Sequence, residues 1–256
     1  MKRLLVAFLC LASAALCGPT AALCAERDTL VQVSTIDALL VALYDGVADV
    51  GSLRDLGDLG IGTFDALDGE MILLDGQVYR VRDDGRAVIV PDEETTPFAA
   101  VTFFAPDREI SVPPGTDLAS FPSLIVTSAN LFHAFVVEGR FSAVRTRSVP
   151  EQQKPYRPLI EVVKNQPVFD FEDVAGVMVG FYCPPFVKGI NVPGYHLHFL
   201  TADRTAGGHV LGFTVEEATL KIDTLSRFIL RLPETDAFAG ADLQKDRGKE
   251  LERVEK

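Results

Sequence analysis

NVPGYHLHFLTADRTAGGHVLGF, residues Asn191–Phe213, holds His196, His198 and His209, three of the chain's four histidines. The apolar flanks Tyr195–Leu200 and Val210–Phe213 predict two β-strands. Between them Thr201–Gly208, with Asp203, Arg204 and a Gly-Gly pair, predicts the loop of a hairpin. Residues two apart on a strand share a face, so His196 and His198 project side by side. Folding back brings His209 onto the neighbouring strand, on the same face if the register allows. Three converging imidazoles form the protein half of an open metal site, with a fourth position for water or substrate. The alternative, unrelated polar residues on the wet face of a hairpin, suits a lone histidine better than an HxH pair with a third at hairpin distance. Imidazole suits zinc, nickel, iron and copper, so the spacing leaves the metal open. His133 stands outside the cluster and reads as structural or surface.

Upstream of this stretch the pattern is strand-rich. MILLDGQVYRV (Met71–Val81) places Asp75-Gly76 between apolar runs, a type I′ hairpin signature, and Asp84-Gly85 repeats it. Phe98–Phe104 is a continuous apolar run, expected as a strand buried on both faces. Ala134–Val149 reads as a hairpin turning at Glu138-Gly139. Val168–Tyr182 and Glu216–Leu232 each read as a long strand, the latter stopped by Pro233. Helices are expected over Ser34–Tyr44, capped by Ser34 or Thr35, around Leu53–Leu56, in part of Leu118–Phe132, and in the charged tail Asp242–Lys256. The fold class is therefore β-rich α+β. Pro150–Pro158, with three prolines, reads as an extended connection and the place for a domain boundary, giving units 26–158 and 159–256.

The amino terminus reads as an export signal. Lys2 and Arg3 form a positive region, and the apolar run Leu4–Leu16, with small residues interleaved, is short for a membrane span. Cleavage after Ala25 would remove Cys10, Cys17 and Cys24, leaving Cys183. Such a chain has no internal disulfide despite a secreted or periplasmic destination. Cys183, in an apolar stretch, reads as a buried small hydrophobe. The formal charge is −12, and two units more negative without Lys2 and Arg3. A surface this acidic repels phosphate backbones, which excludes nucleic acid as a partner. No later stretch reaches transmembrane length, so no stable membrane span is expected after cleavage.

Three blocks together resemble the α-acetolactate decarboxylase family: GIGTFDALDGEMILLDGQVY (Gly60–Tyr79), VRTRSVPEQQKPY (Val144–Tyr156) and GYHLHFLTADRTAGGHVLGF (Gly194–Phe213). They follow the family's order through nearly the whole mature chain. The resemblance implies a larger mixed-sheet domain followed by a mainly antiparallel sheet carrying zinc, with His196, His198 and His209 as ligands. It implies Thr63, Glu70 and Arg147 as active-site residues, and a glutamate near the carboxyl end. Glu250, Glu252 and Glu255 compete for that role, and Glu255 fits best. On their own, Glu70 reads as a turn acid or a costly buried one, and Thr63 as a hydroxyl donor or a turn residue. Arg147 follows Arg145 at strand spacing, so the two would share a face. A guanidinium can grip a carboxylate bidentately, and Arg145 suits a solvated strand end.

The implied reaction is decarboxylation of 2-acetolactate to acetoin and carbon dioxide, part of acetoin biosynthesis. Zn²⁺ would be the electron sink, so no organic cofactor is expected. Two other classes stay open: a secreted zinc hydrolase with Glu70 as general base, and a metal-binding module without chemistry. A homodimer is left open.

Overall fold

The computed structural model describes residues 27–125 and 128–255. The expected export signal, residues 1–25, lies outside them. In chain order the strands are β1 Thr29–Val33, β2 Ala48–Asp49, β3 Leu59–Thr63, β4 Glu70–Leu74, β5 Gln77–Val81, β6 Ala87–Ile89, β7 Thr95–Thr96, β8 Ala99–Thr102, β9 Arg108–Val112, β10 Phe132–Arg147, β11 Val168–Cys183, β12 Gly194–Thr201, β13 Gly207–Leu225 and β14 Arg227–Arg231. The helices are short: α1 Ile36–Leu40, α2 Val50–Arg54, α3 Pro122–Ile125, α4 Leu159–Val162, α5 Asp236–Gly240 and α6 Gly248–Val254. No helix among the described residues is long and apolar enough to cross a membrane.

A seven-stranded sheet runs β14-β1-β8-β3-β4-β5-β6, and a five-stranded one β10-β11-β12-β13-β9. The first is mixed, because β14 lies parallel to β1 while its other pairs are antiparallel. The second is antiparallel, and β10 and β12 each pair with both β11 and β13, so these four strands close on one another. The β-rich α+β class read from the sequence, and the mixed and antiparallel sheets that the resemblance implied, are both present. Membership of the sheets is interleaved along the chain: β9 and β10 precede residue 158 yet join the second sheet, and β14 returns to the first.

One apolar layer lies between the two sheets, with Ile61, Ile72 and Leu74 against Ala134, Val179 and Leu200. A second fills the closed strands with aromatic side chains, including Phe135, Phe141 and Phe199. The alternation that decides this is local: Leu197 and Phe199 point into the closed strands, and Leu200 points at the other sheet. A third layer gathers α1, α4 and α6 through Leu39, Leu159, Leu251 and Val254.

Three expectations are corrected. Ala134–Val149 is no hairpin, because β10 runs unbroken through Glu138-Gly139. Gly139 is there for close approach: a Cβ would sit 2.1 Å from the Glu217 carbonyl oxygen on β13. The expected strand Glu216–Leu232 divides at Ser226, whose N–H donates to Asp28 O, as the chain crosses from one sheet to the other. Arg145 and Arg147 do not share a face. A bulge between Arg145 and Thr146 breaks the alternation, leaving Arg145 exposed near Asp170 and Arg147 buried. The first helix is shorter than expected, with Thr35 as its cap. Cys183 is buried and has no disulfide partner among the described residues, and His133 is buried, its ring facing Ser128 O.

Candidate metal and active site

Strand register assembles the site. His198 on β12 pairs directly with His209 on β13, and His209 pairs with Arg147 on β10. One row across three strands therefore reads Arg147, His209, His198, with His196 two residues along β12. Gly208 makes the row tight: its φ is +136°, and a Cβ there would meet the Arg147 carbonyl oxygen at 2.4 Å. From the facing sheet, the β3–β4 hairpin pairs Thr63 with Glu70, so both side chains arrive together.

The ring nitrogens converge. His196 Nε2 lies 3.0 Å from His209 Nδ1 and 3.2 Å from His198 Nε2. His198 Nδ1–H donates to the Met71 carbonyl at 2.8 Å, which fixes that tautomer and leaves the Nε2 lone pair facing the cluster. Burial pushes His196 down to about 3 and holds His198 and His209 well below the usual histidine range, with the Arg147 charge adding to each. Three buried neutral imidazoles, lone pairs crowded together, are a donor set that fits a cation and little else.

Carboxylates flank this cluster. Glu70, 6% exposed, accepts from Arg147 Nη1 at 3.2 Å and lies 3.5 Å from His198 Nε2. Burial pushes its carboxyl up to about 7, against the lowering by Arg147 and with a further rise from Glu255. Arg147 Nη2 donates to the Val254 carbonyl at 3.2 Å, while its Nε–H is buried with no acceptor among the described residues. Glu255 lies 3.8 Å from His209 Nε2 and 4.0 Å from His196 Nε2, and burial raises its carboxyl. Of its competitors, Glu250 pairs with Arg247 and Glu252 is exposed. Thr63 donates its hydroxyl to the Gly69 carbonyl at 2.8 Å, so it serves the turn while facing the site.

These groups line a cavity of ≈ 50 Å³ whose other wall is apolar: Ile36, Leu39, Leu67, Phe98, Leu159 and Val254. That wall was missed by sequence reading, since its members come from five separate segments with no shared period. A wider groove of ≈ 960 Å³ lies beside α6, and Glu255 lines both spaces.

The sequence profile of the alpha-acetolactate decarboxylase family matches residues 30–245. Alpha-acetolactate decarboxylase from Methanosarcina mazei is 50% identical over 232 residues, covering 90% of this chain and 81% of that protein. Its counterpart from Bacillus licheniformis is 43% identical, covering 85% of this chain and 87% of that one. The crystal structure of the Bacillus subtilis strain 168 alpha-acetolactate decarboxylase superposes with a TM-score of 0.86 at 41% identity, over 89% of this chain and 99% of that one.

Proposed function

The chain belongs to the alpha-acetolactate decarboxylase family and is a carboxy-lyase, and from that premise we propose a zinc-dependent conversion of 2-acetolactate to acetoin and carbon dioxide. The observation that carries the reading is the register row Arg147, His209, His198 flanked by Glu70 and Glu255, with Arg147, His209 and both glutamates lining one cavity. His196, His198 and His209 would hold the ion, three neutral nitrogens being a donor set that suits zinc. When bound, it would supply Lewis acidity where negative charge grows on the ketone and hydroxyl oxygens.

The chain's own residues do the rest. The substrate carboxylate is held by Arg147, whose unpartnered Nε–H gives a buried donor ready for an anion. Its carbon–carbon bond breaks, carbon dioxide leaves, and the electron pair remains on the carbon skeleton as an enediolate. Arg147 then loses its anionic partner. A carboxylic acid, Glu70 or Glu255, delivers a proton to one face of the enediolate, giving one enantiomer of acetoin. Glu70 is suited to this because burial keeps a fraction of it protonated near neutral pH. The apolar wall of Ile36, Leu39, Leu67 and Phe98 limits the water that can compete for that proton.

The test is an assay of the purified protein with 2-acetolactate before and after chelation. Equal amounts of carbon dioxide and acetoin, lost on chelation and restored by zinc, support the reading. Turnover untouched by chelation overturns the metal dependence, and water consumption without carbon dioxide would indicate a hydrolase instead. Export is part of the proposal, supported by Lys2, Arg3 and the apolar run to Leu16. Amino-terminal sequencing of the mature protein should begin between Gly18 and Asp28, and Met1 on a cytoplasmic product would refute it.

A further inference from the structure

The turn that carries Thr63 to Glu70 contains two consecutive non-glycine residues in the left-handed region. Ala66 has φ 56° and ψ 20°, and Leu67 has φ 59°. Side chains with a Cβ visit this region at a cost, and two in succession persist only where the surroundings over-determine them. Here they do. Ala66 N–H donates to Tyr44 O at 2.9 Å, Gln152 N–H donates to Ala66 O at 2.7 Å, and Gly69 N–H donates to Leu67 O at 2.9 Å. Tyr44 is itself fully buried and donates its hydroxyl to Arg157 O at 3.0 Å. Glycine at both positions would make the same turn without strain. What glycine could not supply is a side chain, and that of Leu67 is 3% exposed and lines the site cavity beside Thr63 and Glu70.

We infer that Leu67 is a specificity-determining residue: its strained backbone sets the apolar wall against which the substrate's alkyl groups rest, and so limits their length. The inference rests on the decarboxylase reading. Every polar group of 2-acetolactate, its carboxylate, hydroxyl and ketone, has a partner among Arg147, the glutamates and the histidine face. Its two methyl groups, one on the hydroxyl-bearing carbon and one on the acyl carbon, are left to face the apolar wall. With Leu67 buried in that wall beside Thr63 and Glu70, an added methylene has to meet it.

The experiment uses zinc-loaded full-length protein, with Leu67→Ala and Leu67→Gly. Three substrates are compared: 2-acetolactate, 2-ethyl-2-hydroxy-3-oxobutanoate and 2-hydroxy-2-methyl-3-oxopentanoate. Removing the isobutyl group should raise kcat/KM for at least one homologue, relative to 2-acetolactate, by about 10-fold or more, the size expected for one methylene in an apolar pocket. The homologue that gains identifies which alkyl group meets Leu67. A relative change below about 3-fold for both homologues in both variants overturns the inference and returns Leu67 to a core-filling role, which would lower Tm without altering selectivity. Leu67→Gly should unfold at or above the temperature of Leu67→Ala, because it relieves the left-handed strain, and it keeps the test open if the alanine variant folds poorly. The reverse order overturns the strain argument. Wild-type protein that releases no carbon dioxide from any of the three substrates fails the underlying reading. Wild-type turnover with unshifted ratios fails this inference alone.

Discussion

His196, His198 and His209 are fixed by strand pairing within a closed set of long strands, whereas Glu255 reaches the same cavity from the end of a seven-residue helix. The histidine hairpin is held by a backbone ladder, by the His198 bond to Met71 O and by the aromatic layer beneath. Helix α6 is held by Leu251, Val254 and the Arg147 bond to its last carbonyl. Large cavities lie beside it, ≈ 960 Å³ and ≈ 510 Å³. The difference teaches a division of labour: the sheet preorganises the three imidazoles, while the tail brings one carboxyl group to the edge of the same space. Two buried apolar side chains stabilise its docking by roughly 3–6 kcal/mol at most, before the entropy of ordering the tail is subtracted. Metal retention and turnover should therefore be separable by mutation.

The largest effect is expected on the sheet side. His198→Ala should lose both bound zinc and decarboxylation to the background rate, measured by elemental analysis and carbon dioxide release. Full zinc occupancy in that variant would remove the premise of a sheet-built metal site. Glu255→Gln should lower kcat by about 10²-fold or more, as expected for loss of a general acid, with zinc content unchanged, while Glu252→Gln, exposed, should change little. Full activity in Glu255→Gln would leave Glu70 as the acid and reduce the tail to a cover.

Arg147 joins the two regions, since it sits in the strand row and binds Val254 O. Arg147→Lys keeps the charge but loses the planar fork, so kcat/KM on 2-acetolactate should fall by about 10²-fold with zinc retained. Arg145→Lys, on the exposed side of the bulge, should have almost no effect. Equal losses would mean that the bulge does not separate their roles.

The smallest effect concerns stability of the strand that carries His209. Asp223, 1% exposed on β13, is pushed up to about 6 by burial, with Asp28, Asp107 and Asp58 adding to the rise, while the Ala105 N–H donating to it opposes it. A raised acid favours the protonated folded state, so its full contribution is present below the unfolded value near 4 and is lost as pH rises to 6. Asp223→Asn should flatten the pH dependence of thermal unfolding over that window by of order 1–3 kcal/mol, with zinc content and turnover at neutral pH unaltered. An unchanged slope would show that Asp223 is not the group responsible.

The sequence by itself determined the convergence of the three histidines and the sheet class, because both rest on local rules. Period-two alternation places His196 and His198 together, the loop Thr201–Gly208 turns back within hairpin reach, and the Asp-Gly pair at 75–76 turns β4 into β5. The family blocks, read from the same residues, pointed to Glu70 and Arg147, and the family's terminal glutamate fitted Glu255 best among three. Only the tertiary structure decided how those residues sit. Glu70 could have been an exposed turn acid until β4 packed against β12. Arg147 leaves the face of Arg145 through a bulge that no composition signals. Glu250, Glu252 and Glu255 differ only in which way one short helix docks. Gly139, a turn residue by its neighbours, lies mid-strand because β13 passes too close for a Cβ. Leu67 looks ordinary in the chain, and its left-handed backbone follows that of Ala66, which Tyr44 and Gln152, distant in sequence, hold in place. Alternation and turn chemistry are properties of adjacent residues, whereas burial of a charge, a bulge and backbone strain are stabilised by neighbours that the fold alone brings near.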